Sequence, residues 1–229
     1  MSKDIKTPFG KIYPRVSLLP IYYLLFMYGF VYIFPYGKNL IGISWFDWLR
    51  SEDGPLEWLQ FLEYVLSSLL AVMIFVRRKK KKEINSLIWL LIAFLSFIIA
   101  GEEISWGERL TGIGITSISN LNVQGETNFH NLPFFHNYLL DPVFEVSCIF
   151  LGWFGWRKFK NIDALPSKQL SLYFLFVALF YFYFDVSWAS TTEQIRNDQE
   201  IFEFLLSSGI FLHCLKNFSA VVKKFKSKN

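Results

Sequence analysis

Residues 84–109 read INSLIWLLIAFLSFIIAGEEISWGER. An apolar run from Ile84 to Ala100 breaks into Glu102, Glu103, Glu108 and Arg109 around a single Trp106. A run of that length is enough to cross a bilayer. Ionisable groups at the mouth of such a run are costly unless they are paired or wet, so they mark a functional site by default. The polar character continues through residues 110–131, LTGIGITSISNLNVQGETNFHN, which add Glu126, His130 and several amides.

The rest of the chain repeats the pattern. Of its 229 residues 53% are hydrophobic and 20% aromatic, including 26 Phe, and only 18% are charged. Apolar runs recur, and together they predict an all-α polytopic membrane protein. The expected form is a six-transmembrane-helix bundle forming one integral domain over residues 1–229. The spans are read at about 16–34, 55–76, 84–101, 140–156, 170–188 and 200–216, with an outer loop at 110–136. Glu52-Asp53-Gly54-Pro55 reads as a helix start. Residues 36–51, with Trp45, Phe46 and Trp48, read as a short helix in the interface. Cys148 and Cys214 lie in apolar runs and read as small buried hydrophobes.

Six spans put both termini on one side. Nineteen of the 23 Lys and Arg fall at the N-terminus, at 77–82, at 157–168 and in the tail. The positive-inside rule makes that side cytoplasmic. The same placement explains the net charge of +4 without nucleic acid. Sixteen of the 19 acids fall on the other side or in the outward halves of the spans. Topology does not require this, and an outward-facing polar site is its simplest cause.

Helix spacing sharpens the expectation. Glu193, Arg196, Glu200, Glu203 and Ser207 share one face, as do Glu57, Gln60, Tyr64 and Ser67, and Asp141, Glu145 and Cys148. A third helix continued past Ala100 would align Glu102, Trp106 and Arg109. Carboxylates facing lipid would be expensive, so these stripes are expected to face one another around a polar cavity lidded by the outer loop. Glu102–Arg109 and Glu193–Arg196 also read as ion pairs that hold helices together, and both readings stay open. His213 reads as structural.

The candidate catalytic residues are Glu102, Glu103 and His130. A carboxylate and an imidazole suit general acid–base work. Trp106, Arg109, Glu126, Asn128, Asn131, Glu57, Glu193 and Arg196 are candidates for substrate binding, with Arg109 suited to an anionic group. His130 and His136 with Glu145 form a donor set for zinc or a similar divalent metal, the alternative to metal-free acid–base chemistry.

GEEISWGERL followed by NVQGETNFHNL resembles the signature of a family of uncharacterised bacterial multi-pass membrane proteins, of the form GEEISWGxR…NxQxETNxHN. The likeness covers residues 101–132 and rests on Glu102, Glu103, Trp106, Arg109, Asn122, Gln124, Glu126, Asn128, His130 and Asn131. It implies a bacterial inner-membrane protein and no particular chemistry. CAAX-type intramembrane proteases and alkaline-ceramidase-like hydrolases are distantly similar. Here Arg109 follows Glu102-Glu103 at a longer spacing than in the first, and two outer His stand where the second has three.

The expected function is a membrane-embedded hydrolase or transferase acting on a lipid or lipid-linked substrate at the outer leaflet. An envelope assembly or binding protein, and an ion-coupled transporter, are the alternatives. The bilayer is the partner the composition implies, and no protein partner is named by the sequence.

Overall fold

A computed structural model describes residues 13–33, 37, 40, 42–51, 53–79, 85–122, 125–135, 139–186 and 193–226. Among them the chain is helical, with no strand. α1 (Tyr13–Leu24) carries Pro20 inside it and runs on through wider π-type turns at Leu25–Ile33. α2 is Ile43–Leu49, α3 Pro55–Lys79 and α4 Ser86–Glu103. Two single-turn helices follow, α5 (Glu108–Thr111) and α6 (Thr116–Ser119). α7 (Leu140–Ile149) passes through π-type turns into α8 (Gly155–Lys158). α9 is Ser171–Val186 and α10 is Glu193–Lys226.

Three stretches are long and apolar enough to cross a membrane: Pro55–Lys79, Ser86–Glu103 and Asp198–Lys223. At 1.5 Å per residue the 25 residues of α3 are about 37 Å long, against a hydrocarbon core of about 30 Å. Val16–Gly29 and Lys168–Tyr183 are shorter apolar helices. The expected last span, 200–216, is the middle of a 34-residue helix that extends beyond it at both ends.

α3 packs most extensively against α4 on one side and α10 on the other. α10 packs on α9, and α9 on α7 and α1. The chain thus forms a row, α4–α3–α10–α9–α7, with α1 against α9. Gly209 permits the α9–α10 approach, since a Cβ there would lie 2.8 Å from the Cβ of Tyr173.

The distribution of side chains is inverted relative to a water-soluble core. The buried face of α3 carries Glu57, Gln60, Tyr64 and Ser67, while Leu59, Leu62, Leu66 and Leu69 are exposed. On α4, Phe94 and Phe97 are both more than half exposed. Contiguous apolar surface on this scale is stable only against lipid or another apolar partner. Two buried clusters fill the row. One, at α9 and α10, includes Phe174, Tyr181, Ile201 and Cys148. The other, at α3, α4 and α10, is Ala71, Ile74, Trp89, Ala93, Ala164 and Cys214. Both cysteines are free and buried, as their sequence positions imply.

The two ends differ in chemistry. At one, Arg78 donates two 2.6 Å hydrogen bonds to Asp163, and His213 stacks on Trp89 with its Nε2 3.0 Å from the Ala164 carbonyl. His213 is structural, as expected. The other end gathers the acids.

Candidate functional site

The acidic end is built on the first turn of α3, the last turn of α4, the loop after it and the start of α10. Pro55 opens α3, and Glu57 in its first turn reaches back to accept the Asp53 N–H at 2.5 Å. The same Glu57 presents its Oε1 2.5 Å from Arg109 Nη1.

α4 stops at Glu103 rather than continuing toward Arg109. Ser105 (φ 47°), Trp106 (φ 53°) and Gly107 (φ 93°) follow in the left-handed region. For two side-chain-bearing residues this costs on the order of 1–2 kcal/mol each and persists only where surroundings hold it. Here Trp106 folds back over Gly101, where a Cβ would meet the indole at 3.0 Å, and donates Nε1–H to Glu102 Oε1 at 2.5 Å. The turn corrects the expectation that Glu102, Trp106 and Arg109 lie on one continuous helix face.

Arg109 also does not pair with Glu102. Its guanidinium meets three other carboxylates: Asp53 at 3.0 Å, Glu57 at 2.5 Å and Glu126 at 3.1 Å. Burial works against its charge, but Glu57, Glu126 and Asp53 together outweigh that and hold it above the ordinary Arg range. Asp53, at the helix start, thus also pairs with Arg109. Both Nη groups being engaged, the geometry gives Arg109 the role of a clamp.

Glu126 extends the clamp into the loop. Its Oε2 accepts from Ser105 Oγ at 2.6 Å and from Asn128 Nδ2 at 2.9 Å. Asn128, fully buried, accepts from Asn122 Nδ2 through both its side-chain oxygen, 2.6 Å, and its carbonyl, 2.8 Å. Glu108 accepts the Thr127 N–H at 2.6 Å, and Thr127 Oγ1 accepts the Ile115 N–H at 2.7 Å. Asn131 is buried beside them at 3% exposure. The signature residues thus interlock to order the loop.

Glu102 and His130 form a distinct pair. Glu102 Oε2 accepts the backbone N–H of Phe129 at 2.7 Å and of His130 at 2.8 Å, and lies 3.1 Å from His130 Nδ1. An ionised carboxylate only accepts, so Nδ1 is the nitrogen that donates to Glu102, and Nε2 is the one left facing away from it. The imidazole side chain is 38% exposed. Trp106 makes an edge contact with Phe129, the residue before His130, centroids 6.3 Å apart.

Glu103 faces the bundle instead. It lies within electrostatic reach of Glu203, Glu57 and Arg109, and Glu200 within reach of Glu203, Glu57 and Glu103. Gln60 Nε2 donates to Glu200 Oε2 at 2.7 Å, and the Tyr181 hydroxyl to Glu203 Oε1 at 2.5 Å. Deeper, Ser207 and Ser208 donate to Glu63 at 2.6 and 2.9 Å. The α3 and α10 stripes therefore meet. Arg50 joins them from α2, 2.7 Å from Asp198, both side chains buried. That pair, Gln60 and Glu200 were absent from the candidate residues. The stripes contain Gln60 and Glu200; no local pattern announces Arg50–Asp198.

The side chains of Glu193, Arg196 and Asp141, and all of His136 and Gln124, lie outside the described residues. Glu145 is half-buried on α7, which packs chiefly on α9. Among the described residues no three His, Cys, Asp or Glu side chains are grouped to hold a metal ion. No protein-family model, no curated protein and no solved structure matches the chain.

Proposed function

We propose that this protein is a six-span inner-membrane enzyme, a hydrolase or transferase acting on a lipid or lipid-linked substrate at the outer leaflet. Both termini are then cytoplasmic and the acidic end faces the periplasm or exterior. The observation that carries the proposal is the Glu102–His130 pair. A carboxylate orienting an imidazole through Nδ1 leaves Nε2 free to take a proton from an attacking water or hydroxyl. The pair lies just past the end of an apolar helix long enough to cross a membrane, and its ring is partly exposed, which favours a substrate met at the membrane surface.

Glu102 orients, His130 is the base, and Glu103 supplies a second carboxyl on the bundle side. Glu126, Asn128, Asn131, Trp106 and Arg109 build the loop that holds His130 in place. The test compares lipid extracts of cells carrying no protein, wild type and His130→Ala. The variant keeps both backbone N–H bonds to Glu102, so it should fold. A lipid species altered only by the wild type supports the reading; identical extracts from all three oppose it.

Exposed apolar side chains on the loop favour a second reading. Leu110, Ile113, Ile115, Leu121 and Phe134 are each more than half exposed. They would rest in the membrane interface, or contact an envelope partner in an assembly role, and stoichiometric co-purification of a partner distinguishes the second case. Transport is less favoured, because the Ala71, Ile74, Trp89 and Cys214 layer is apolar and would have to open.

A further inference from the structure

The loop after α4 is inside out in the same sense as α3. From Leu110 to Gly125 it carries no charged side chain. Leu110, Ile113, Ile115 and Leu121 are each more than half exposed. The polar groups turn inward instead. Glu108 accepts the Thr127 N–H at 2.6 Å, Thr127 Oγ1 accepts the Ile115 N–H at 2.7 Å, and Asn122 donates to the buried Asn128 at 2.6 Å. The backbone is largely paired within the loop as well. The N–H groups of Ile118, Ser119, Asn120 and Leu121 donate to carbonyls three or four residues back, at 2.9–3.1 Å. A water-facing loop gains nothing from large apolar side chains turned outward, and such exposure marks a surface that something covers.

A chain of ring contacts favours lipid as the cover. Phe97, on the exposed apolar side of α4, meets Trp106 edge-on with centroids 6.3 Å apart, and Trp106 meets Phe129 in the same way. The apolar exterior of a helix long enough to cross a membrane thus runs on into the loop. Trp106 suits that junction. Its indole N–H is bonded to Glu102 while part of the ring stays exposed, the amphipathic arrangement that sets Trp at membrane interfaces. The absence of charge between Arg109 and Glu126 removes the main penalty for entering lipid, and the paired backbone removes much of the rest.

We propose that the loop seats in the membrane interface through Leu110, Ile113, Ile115 and Leu121, as an anchor continuous with the exposed face of α4. Its partner is the lipid surface rather than another protein. Phe129 carries the seat to the residue before His130. The seat concerns where the loop lies, and it does not depend on the enzyme reading.

The experiment uses the full chain in nanodiscs of bacterial lipid, with a nitroxide on one introduced cysteine at a time. Collisions with oxygen, which concentrates in lipid, are compared with collisions with a neutral nickel chelate, which stays in water. Ile113→Cys and Leu121→Cys report on the loop. Phe94→Cys, on the exposed apolar side of α4, and Lys160→Cys, exposed at the basic end, set the two limits. The native cysteines are buried and leave a low background. The oxygen-to-nickel ratio at Ile113 and Leu121 should lie well above the Lys160 value, toward that of Phe94. A ratio at the Lys160 value would put the loop in water and overturn the proposal. Few collisions with either reagent would mean that protein covers the surface, and would overturn it equally. Leu110→Cys takes the place of a labelled variant that does not fold. A lipid-like ratio without lipid turnover keeps the seat and removes only the enzyme reading; a water-like ratio with turnover does the reverse.

Discussion

Arg109 Nη1 lies 2.5 Å from Glu57 Oε1, joining the loop after α4 to the first turn of α3. The two side chains are each 11% exposed, so the bond lies largely out of water. Removing one partner of such a pair leaves the other buried and charged, at a cost of about 3–5 kcal/mol. Arg109→Ala should therefore lower the melting temperature in detergent far more than Glu57→Gln with Arg109 intact. Arg109→Lys should rescue only part, since one ammonium cannot meet Asp53, Glu57 and Glu126 as a planar fork does. The folded-state pKa of Arg109 is raised, so its contribution would be lost only as pH rises through that value. Taking the protein to about pH 10 should leave the clamp intact.

Asn128 is the loop's buried tie, bonded to Asn122 and Glu126. Asn128→Ala strands those polar groups at a cost of about 1–3 kcal/mol. Limited proteolysis should then cut residues 110–131 faster while the spanning helices stay intact. Unchanged cleavage would mean the loop is held from elsewhere.

Glu63 accepts from two hydroxyls, Ser207 and Ser208, at the α3–α10 interface. The double variant Ser207→Ala, Ser208→Ala removes both donors. It should destabilise by about 2–4 kcal/mol, and adding Glu63→Gln should recover part of that loss.

Orientation is tested by thiol labelling. The native cysteines are buried, which keeps the background low. In intact cells an impermeant reagent should label Ser117→Cys, on the exposed loop, and not Lys160→Cys, at the basic end. The reverse pattern would invert the topology.

Much of this was legible from local pattern. The spacing of Glu57, Gln60, Tyr64 and Ser67 and of Glu200, Glu203 and Ser207 marks two faces that do meet, because burying polar groups in a bilayer leaves them little else to face. The Glu-Asp-Gly-Pro start of α3 follows from backbone chemistry alone. The stop of α4 does not. Glu102 to Arg109 contains no proline, and left-handed Ser105 and Trp106 are imposed by the packing of Trp106 on Gly101 and of Ser105 on Glu126. Pairings such as Arg50 with Asp198, 148 residues apart, are tertiary events that no local spacing encodes. For the same reason Arg109 reads from sequence as an anion binder and is found among carboxylates.

The most direct test of the Glu102–His130 assignment is turnover in reconstituted vesicles. Purified wild type and His130→Ala would be placed in vesicles of total bacterial lipid extract and the products followed by mass spectrometry. The loop's protease resistance would be checked in both. The expected result is a new lipid product with wild type and none with His130→Ala, with the loop equally resistant in each. Equal product formation by a folded His130→Ala protein would contradict the role given to the imidazole.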